Sequence, residues 1–154
     1  MELDQSVARG DFDIALSGIE DTPGRRAMVG ASIPYYEFRE VLTVRAADRN
    51  RFRTLGDLKG RSVGTLAGTI AYETLLDAER RDSIRSVSYD DDIHPYSDLL
   101  IGRLDGVLLD NVLADRAAHR MQGLAIQPEA IRVGHYVVIM RLSTRPSDAP
   151  LRLS

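Results

Sequence analysis

Between residues 62 and 121 the chain alternates strand-like with helix-like segments, and this alternation limits its possible folds more than any other feature. Ser62 to Leu66 reads as a strand, Ala67-Gly68-Thr69 as a tight turn, and residues 70–80 as a helix with Leu75, Leu76 and Ala78 available to pack. Val87-Ser88-Tyr89 supplies the next strand, residues 90–92 an acidic turn, and a helix then runs to near Gly102. A strand from Asp105 to Leu109 and a helix from Val112 to Met121 complete the series. Strand followed by helix, repeated, predicts an α/β fold with a mainly parallel sheet, because parallel neighbours must be joined by a crossover.

The flanks are less regular. Leu3 to Ala8 reads as the last turns of a helix stopped by Gly10, so the chain is expected to begin in mid-element, and Phe12 to Leu16 reads as a strand leaving it. Thr22-Pro23 is a helix-start signal: the hydroxyl accepts from the first unpaired amides, and proline at the first helical position forfeits no hydrogen bond. A short helix through Met28 follows. Val41 to Val44 is a β-branched strand, residues 48–53 form a charged turn, and Thr54 to Leu58 a short helical turn closed by Gly60. Leu124 to Gln127 and Val133 to Met140 read as two further strands. Residues 143–154, with Pro146 and Pro150, have no periodicity, and the chain carries no internal repeat.

Composition narrows the function classes. Of 154 residues, 44% are hydrophobic and 28% charged, and the net charge of -3 is well mixed in sign, so no basic stripe is offered to a nucleic acid. No apolar run approaches the ~20 residues needed to cross a bilayer, and Met1-Glu2-Leu3-Asp4 is not a signal segment. The absence of cysteine excludes disulfide scaffolds, thiol nucleophiles and cysteine-held zinc.

A set of short motifs then appears in order: Ala8-Arg9-Gly10-Asp11-Phe12-Asp13, Ser17-Gly18-Ile19, Thr22-Pro23-Gly24-Arg25, Pro34-Tyr35-Tyr36, Leu55-Gly56-Asp57-Leu58-Lys59-Gly60, Val63-Gly64-Thr65, Ala67-Gly68-Thr69, and residues 102–110 from Gly102 to Asp110. Each is weak alone. Together, over about residues 5 to 141, the chain resembles the polar amino-acid family of periplasmic solute-binding proteins, the substrate-binding components of ABC importers with the type II periplasmic-binding fold. The resemblance implies two α/β lobes joined by two crossing strands, closing on an amino acid. It implies a partial lobe one over residues 1–40, a hinge strand over 41–47, lobe two over 48–132, a return hinge strand over 133–142, and a tail over 143–154. It also implies a chain truncated at both ends, without the family's aromatic platform for the ligand side chain.

The resemblance assigns roles to particular residues. Arg25 matches the family's carboxylate-binding arginine, whose planar fork suits a carboxylate, although a solvated arginine beside Arg26 is the plainer reading. Asp110, at the C-terminal end of its strand, matches the ammonium-binding carboxylate, and it also suits the N-cap of the following helix. Gly68, Thr69 and the amide of Ile70 open a helix directly after a strand and suit an anion. Ser17 and Gly18 are placed in the strand-to-helix loop of lobe one. Glu20 departs from the family's small hydroxyl residue; its carboxylate either pre-pairs with Arg25 or faces a second positive charge on the ligand.

Other constellations carry less. Asp90, Asp91, Asp92 and His94 suggest metal ligands, but acids before a helix more often cap it. His119 and His135 lack triad spacing, and Tyr35 and Tyr36 suit a hinge buttress. No metal, cofactor or catalytic residue is expected. The resemblance implies binding of an amino acid in the periplasm with a membrane permease as partner. The alternatives are a cyclohexadienyl or arogenate dehydratase-like enzyme on the same scaffold, and a ligand-sensing receptor ectodomain. Uncovered apolar faces near the ends add an expectation of self-association.

Overall fold

The computed structural model describes residues 3–142, so the expectation for residues 143–154 lies outside the described residues. The described residues form two compact units, one of residues 3–37 and 134–142 and the other of residues 38–133.

The larger unit is built around β3 (Tyr36–Arg45, from residue 38 onward), β4 (Ser62–Leu66), β5 (Arg85–Tyr89), β6 (Gly106–Asp110) and the first part of β7 (Leu124–Met140), in the order β7-β3-β6-β4-β5. β4 pairs in parallel with β5 and with β6, whereas β3 pairs antiparallel with β6, from Glu40 opposite Asp110 to Thr43 opposite Val107. The sheet is therefore mixed where the sequence suggests a mainly parallel one. Helical crossovers, α3 (Ile70–Asp82) and α4 (His94–Leu100), join only β4, β5 and β6. β3 lies outside that alternation, so it is free to run the other way.

All five residues of β6 are buried, as expected of a strand covered on both faces. Side chains alternate across a strand. Leu108 joins Leu42, Val63 and Leu75 in one core cluster, while Val107 and Leu109 join Tyr96 and Leu99 in another. α3 begins at a Thr69 N-cap and buries Ile70, Ala71, Leu75 and Ala78. Arg45, at the end of β3, binds Asp48 and Asp105 at 2.8 and 2.9 Å and donates to the carbonyls of Leu99 and Leu104, tying the strand to the α4–β6 connection.

In the smaller unit, α1 (Leu3–Arg9) precedes β1 (Ile14–Glu20), α2 (Pro23–Met28) and β2 (Gly30–Ala31). β1 and β2 both pair antiparallel with the end of β7, where Ile14 and Gly30 share Met140 as partner. Val7, Ala15, Ile19, Val29, Val137 and Ile139 form its core. The Thr22-Pro23 signal works as read, with the Thr22 hydroxyl accepting from the Arg25 amide at 3.2 Å. β7 corrects the sequence reading: residues 124–140 are one strand, not two, and it continues through Pro128. Proline removes one ladder donor but keeps an extended φ, so it interrupts the apolar pattern without necessarily ending a strand.

The acidic run before α4 caps that helix. Asp91 accepts from the amides of Ile93 and His94 at 2.9 and 3.0 Å and contacts the His94 ring, and Asp92 pairs with Arg116. The His94 amide, with the His94 ring and the Ile93 amide, holds the Asp91 carboxyl down to about 2. Because this folded value lies below the unfolded one, the stabilisation is present above about pH 4 and lost as pH falls toward 2. Thermal melts of Asp91→Ala should therefore fall below wild type at pH 7 and converge with it near pH 2. Packing makes a separate prediction at Gly64, where an added Cβ would lie 2.5 Å from a Leu104 methyl and 3.3 Å from the Tyr89 ring. Gly64→Ala should cost about 1–3 kcal/mol in urea denaturation.

Candidate binding site

The larger unit brings Gly68, Thr69, Ile70 and Asp110 to one rim. β4 and β6 run parallel with Gly64 opposite Val107, so the chain leaves both strands at the same edge of the sheet, after Leu66 and after Asp110. Open sheets place ligands at such strand C-termini. Gly68 takes φ +73°, which L side chains rarely adopt, and nothing lies within 4 Å of where its Cβ would be. The Thr69 hydroxyl is committed to the turn itself, donating to the Leu66 carbonyl at 2.8 Å and accepting from the Tyr72 amide at 3.2 Å. The Ile70 side chain is buried. What this turn offers outward is backbone.

Asp110 is 7% exposed, and one of its oxygens accepts the Leu113 amide at 2.9 Å, capping α5 (Asn111–Arg120). The capping role read from the sequence is thus present. Next to it, the Asn111 side chain accepts from the Arg39 amide at 2.8 Å and pins the start of β3 to this helix. The register that follows sets Glu40 directly opposite Asp110, and Glu40 is fully buried. Sequence reasoning passed over Glu40. The available signal was a charged residue ahead of the apolar run Val41-Leu42, at a strand position whose face only the pairing partner reveals.

The smaller unit holds Ser17, Gly18, Glu20 and Arg25, with one correction. Ser17 and Gly18 lie inside β1, not in a strand-to-helix loop. Ala15 pairs with Ile139 and Ile19 with Val137, so three residues of β1 stand opposite the single residue Val138 of β7. The surplus forms a bulge in which Gly18 takes φ +51° against the Tyr136 ring, and both Ser17 and Gly18 are exposed. The displaced pairing is made up by Ser32, which bonds the Val138 carbonyl and amide at 2.9 and 3.0 Å. A glycine signals departure from a regular ladder but does not say whether the chain turns or bulges.

Arg25 is half-buried and held by two groups: its Nε donates to Asp4 of α1 at 2.8 Å, and its Nη1 donates to the backbone carbonyl of Glu20. Asp4 thus supplies a carboxylate to Arg25, and Glu20 supplies a main-chain carbonyl. No spacing rule links residues 4 and 25; only packing of α1 against α2 brings them together. Arg26 instead forms a two-pronged pair with Asp21 at 2.6 and 2.8 Å, and that hydrogen bond lowers the Asp21 carboxyl. Glu20 stands opposite Tyr136, whose ring stacks on Tyr36 at 5.7 Å with Tyr35 tilted against it at 6.4 Å. That arrangement suits the buttress reading of the tyrosines.

No helix among the described residues is long and apolar enough to cross a membrane. No protein-family model matches the chain. It is similar to ABC transporter arginine-binding protein 1 of Escherichia coli K12, at 28% identity over 141 residues that make up 91% of this chain and 56% of the relative. It is likewise similar to the L-cystine-binding protein TcyJ of the same strain, at 30% identity over 77% of this chain and 44% of the relative. The chain thus spans about half the length of these curated relatives. Among solved structures, the arginine-bound form of a truncated arginine-binding protein from T. maritima superposes with a TM-score of 0.80 at 27% identity, covering 91% of this chain and 65% of that one. The ordered motifs, the mixed α/β architecture and this agreement in sequence and structure make the chain similar to the polar amino-acid solute-binding proteins and give it their type II periplasmic-binding fold.

Proposed function

We propose that this chain binds a free amino acid as the ligand-gripping part of the substrate-binding component of an ABC importer, in the periplasm and with a membrane permease as partner. The observation that carries the reading is the shared rim of the larger unit, where an exposed glycine turn at a helix start and a helix-capping aspartate leave adjacent parallel strands at one edge. A zwitterion needs both kinds of group: Asp110 for its ammonium, and Arg25 with the amides of the Gly68–Ile70 turn for its carboxylate. Ser17, Gly18 and Glu20 would complete the contacts. On this reading residues 1–40 act as the partial lobe one, residues 48–132 as lobe two, and residues 41–47 and 133–142 as the hinge strands.

Binding without turnover accounts for every matched motif, since none supplies a nucleophile with its base. The relatives named for arginine favour a cationic amino acid, which the Glu20 carboxylate would read in this reading. Steady-state assays with cyclic amino-acid precursors should show stoichiometric binding at most; catalytic release of product would replace this reading with the enzymatic one.

Each charged contact should contribute about 1.5–3 kcal/mol, and its loss strands the opposite charge. Arg25→Ala and Asp110→Ala are therefore each expected to weaken amino-acid binding at least ~30-fold, roughly 2 kcal/mol. Asp4→Asn, which removes the anion now holding Arg25, should leave affinity unchanged or raise it. Glu20→Ser should selectively weaken arginine if Glu20 reads a cation, whereas neutral ligands should bind as well or better if it only balances Arg25. Calorimetry with arginine, glutamine and glutamate measures all four variants, and unchanged affinity in both alanine variants would sink the assignment.

A further inference from the structure

At the edge of the larger sheet opposite Gly68 and Asp110, the chain leaves β3 after Arg45, which bonds the Leu104 carbonyl and Asp105 just ahead of β6. The length of β6 separates that edge from Asp110, roughly 13 Å at about 3.3 Å per residue. Residues 49–54, which follow, and residues 127–129 of β7 line a cavity of about 360 Å³, within the usual range for small-molecule sites. An adjoining cavity of about 230 Å³ shares Arg53, Thr54 and Glu129 with it.

The backbone of this wall is tied down. The Arg51 and Phe52 amides donate to the Asp48 carbonyl at 2.9 and 3.0 Å, and Asp57 accepts the amides of Arg53 and Thr54, both at 2.9 Å. From β7, the Gln127 Nε2 donates to the carbonyls of Arg49 and Phe52 at 2.8 and 2.7 Å. Two carbonyl acceptors fix the orientation of that amide, since only its nitrogen can donate. The Gln127 side chain is 95% buried and lines the cavity, and its Oε1 accepts nothing among the described residues.

Charge is concentrated here. Between residues 45 and 61 six basic side chains stand against two acids, in a chain whose net charge is -3. Three of the six are engaged: Arg45 by Asp48 and Asp105, Arg61 by Asp105 at 3.4 Å, and Arg51 over the Phe52 ring at 4.8 Å. Arg49 and Arg53, which line the cavity, have no side-chain hydrogen bond or ion pair among the described residues. Glu129 lines the same cavity and is likewise unpaired among them.

We propose that this cavity is a second ligand site, separate from the rim, and that it takes a dicarboxylic amino acid such as glutamate or aspartate. Arg49 and Arg53 present two planar forks to two carboxylates, while the Glu129 carboxylate and the Gln127 Oε1 are acceptors for one ammonium. Two cations and one anion in the wall are the complement of such a ligand. A monocarboxylic amino acid leaves one guanidinium unmatched, and an inorganic anion meets the like charge of Glu129. A wall already held by backbone bonds reduces the ordering cost of binding. This second site stands independently of the reading given for the rim.

Backbone-amide NMR of the whole chain, titrated with L-glutamate, should show saturable shifts at residues 49–54 and 129–131. Arg49→Gln and Arg53→Gln should each weaken that response about 5-fold, the contacts being charged but partly open to solvent. All three charged side chains are exposed, so these variants and Glu129→Gln keep the fold. Glu129→Gln should weaken glutamate while leaving succinate, which lacks the ammonium, unchanged or tighter. Inorganic phosphate tests for general attraction to positive charge. An equal response to phosphate and glutamate, no effect of Glu129→Gln on glutamate, or no shift at residues 49–54 overturns the proposal. A glutamate response confined to residues 68–70 and 110–113 also overturns it, and leaves the rim reading standing. Conversely, cavity shifts with glutamate in a chain that shows no rim shifts with arginine would sink the rim reading and leave the second site.

Discussion

The parallel pairing of β4 with β6 is the constraint on which the larger unit depends. It forces a crossover on each side, so α3 and α4 cover the sheet, and it sends the chain out of both strands at the same edge. Gly68 and Asp110 lie 42 residues apart in sequence, yet Asp110 is the last residue of β6 and Gly68 stands two positions beyond the end of the adjacent β4. Neither residue is distinctive alone. A glycine turn and an N-cap aspartate are common, and they become a candidate site because the sheet sets them on one rim.

β3 adds the second layer of organisation by entering antiparallel beside β6. Its register brings Glu40 against Asp110, and the Asn111 bond to the Arg39 amide together with the Arg45 network secures the strand toward both of its ends. Both faces of β3 are buried from Glu40 to Val44, and a one-residue slip would exchange the side chains between them, setting a different residue opposite Asp110.

The smaller unit shows a different logic, in which a half-buried cation is held ready by local groups. Arg25 gains an anion from α1 and a carbonyl from the end of β1, while its neighbour Arg26 is spent on Asp21. Such a held guanidinium keeps its orientation at low entropic cost. The bulge at Ser17 and Gly18 likewise exposes main chain that a regular ladder would have consumed.

Local chemistry in the sequence determined a good deal. The β/α alternation from residue 62, the Thr22-Pro23 and Thr69 helix starts, the acidic cap before α4 and the capping role of Asp110 all follow from short-range periodicity and from which side chains can satisfy unpaired amides. The ordered motifs carried the resemblance to the solute-binding family. What tertiary structure alone decided were the partners drawn from afar: Asp4 for Arg25, Glu40 for Asp110, the direction of β3, the bulge that turned an expected loop into strand, and the continuity of β7 across Pro128. These depend on strand register and helix packing, which are set by which apolar faces must meet across the whole fold, and no local spacing encodes that choice.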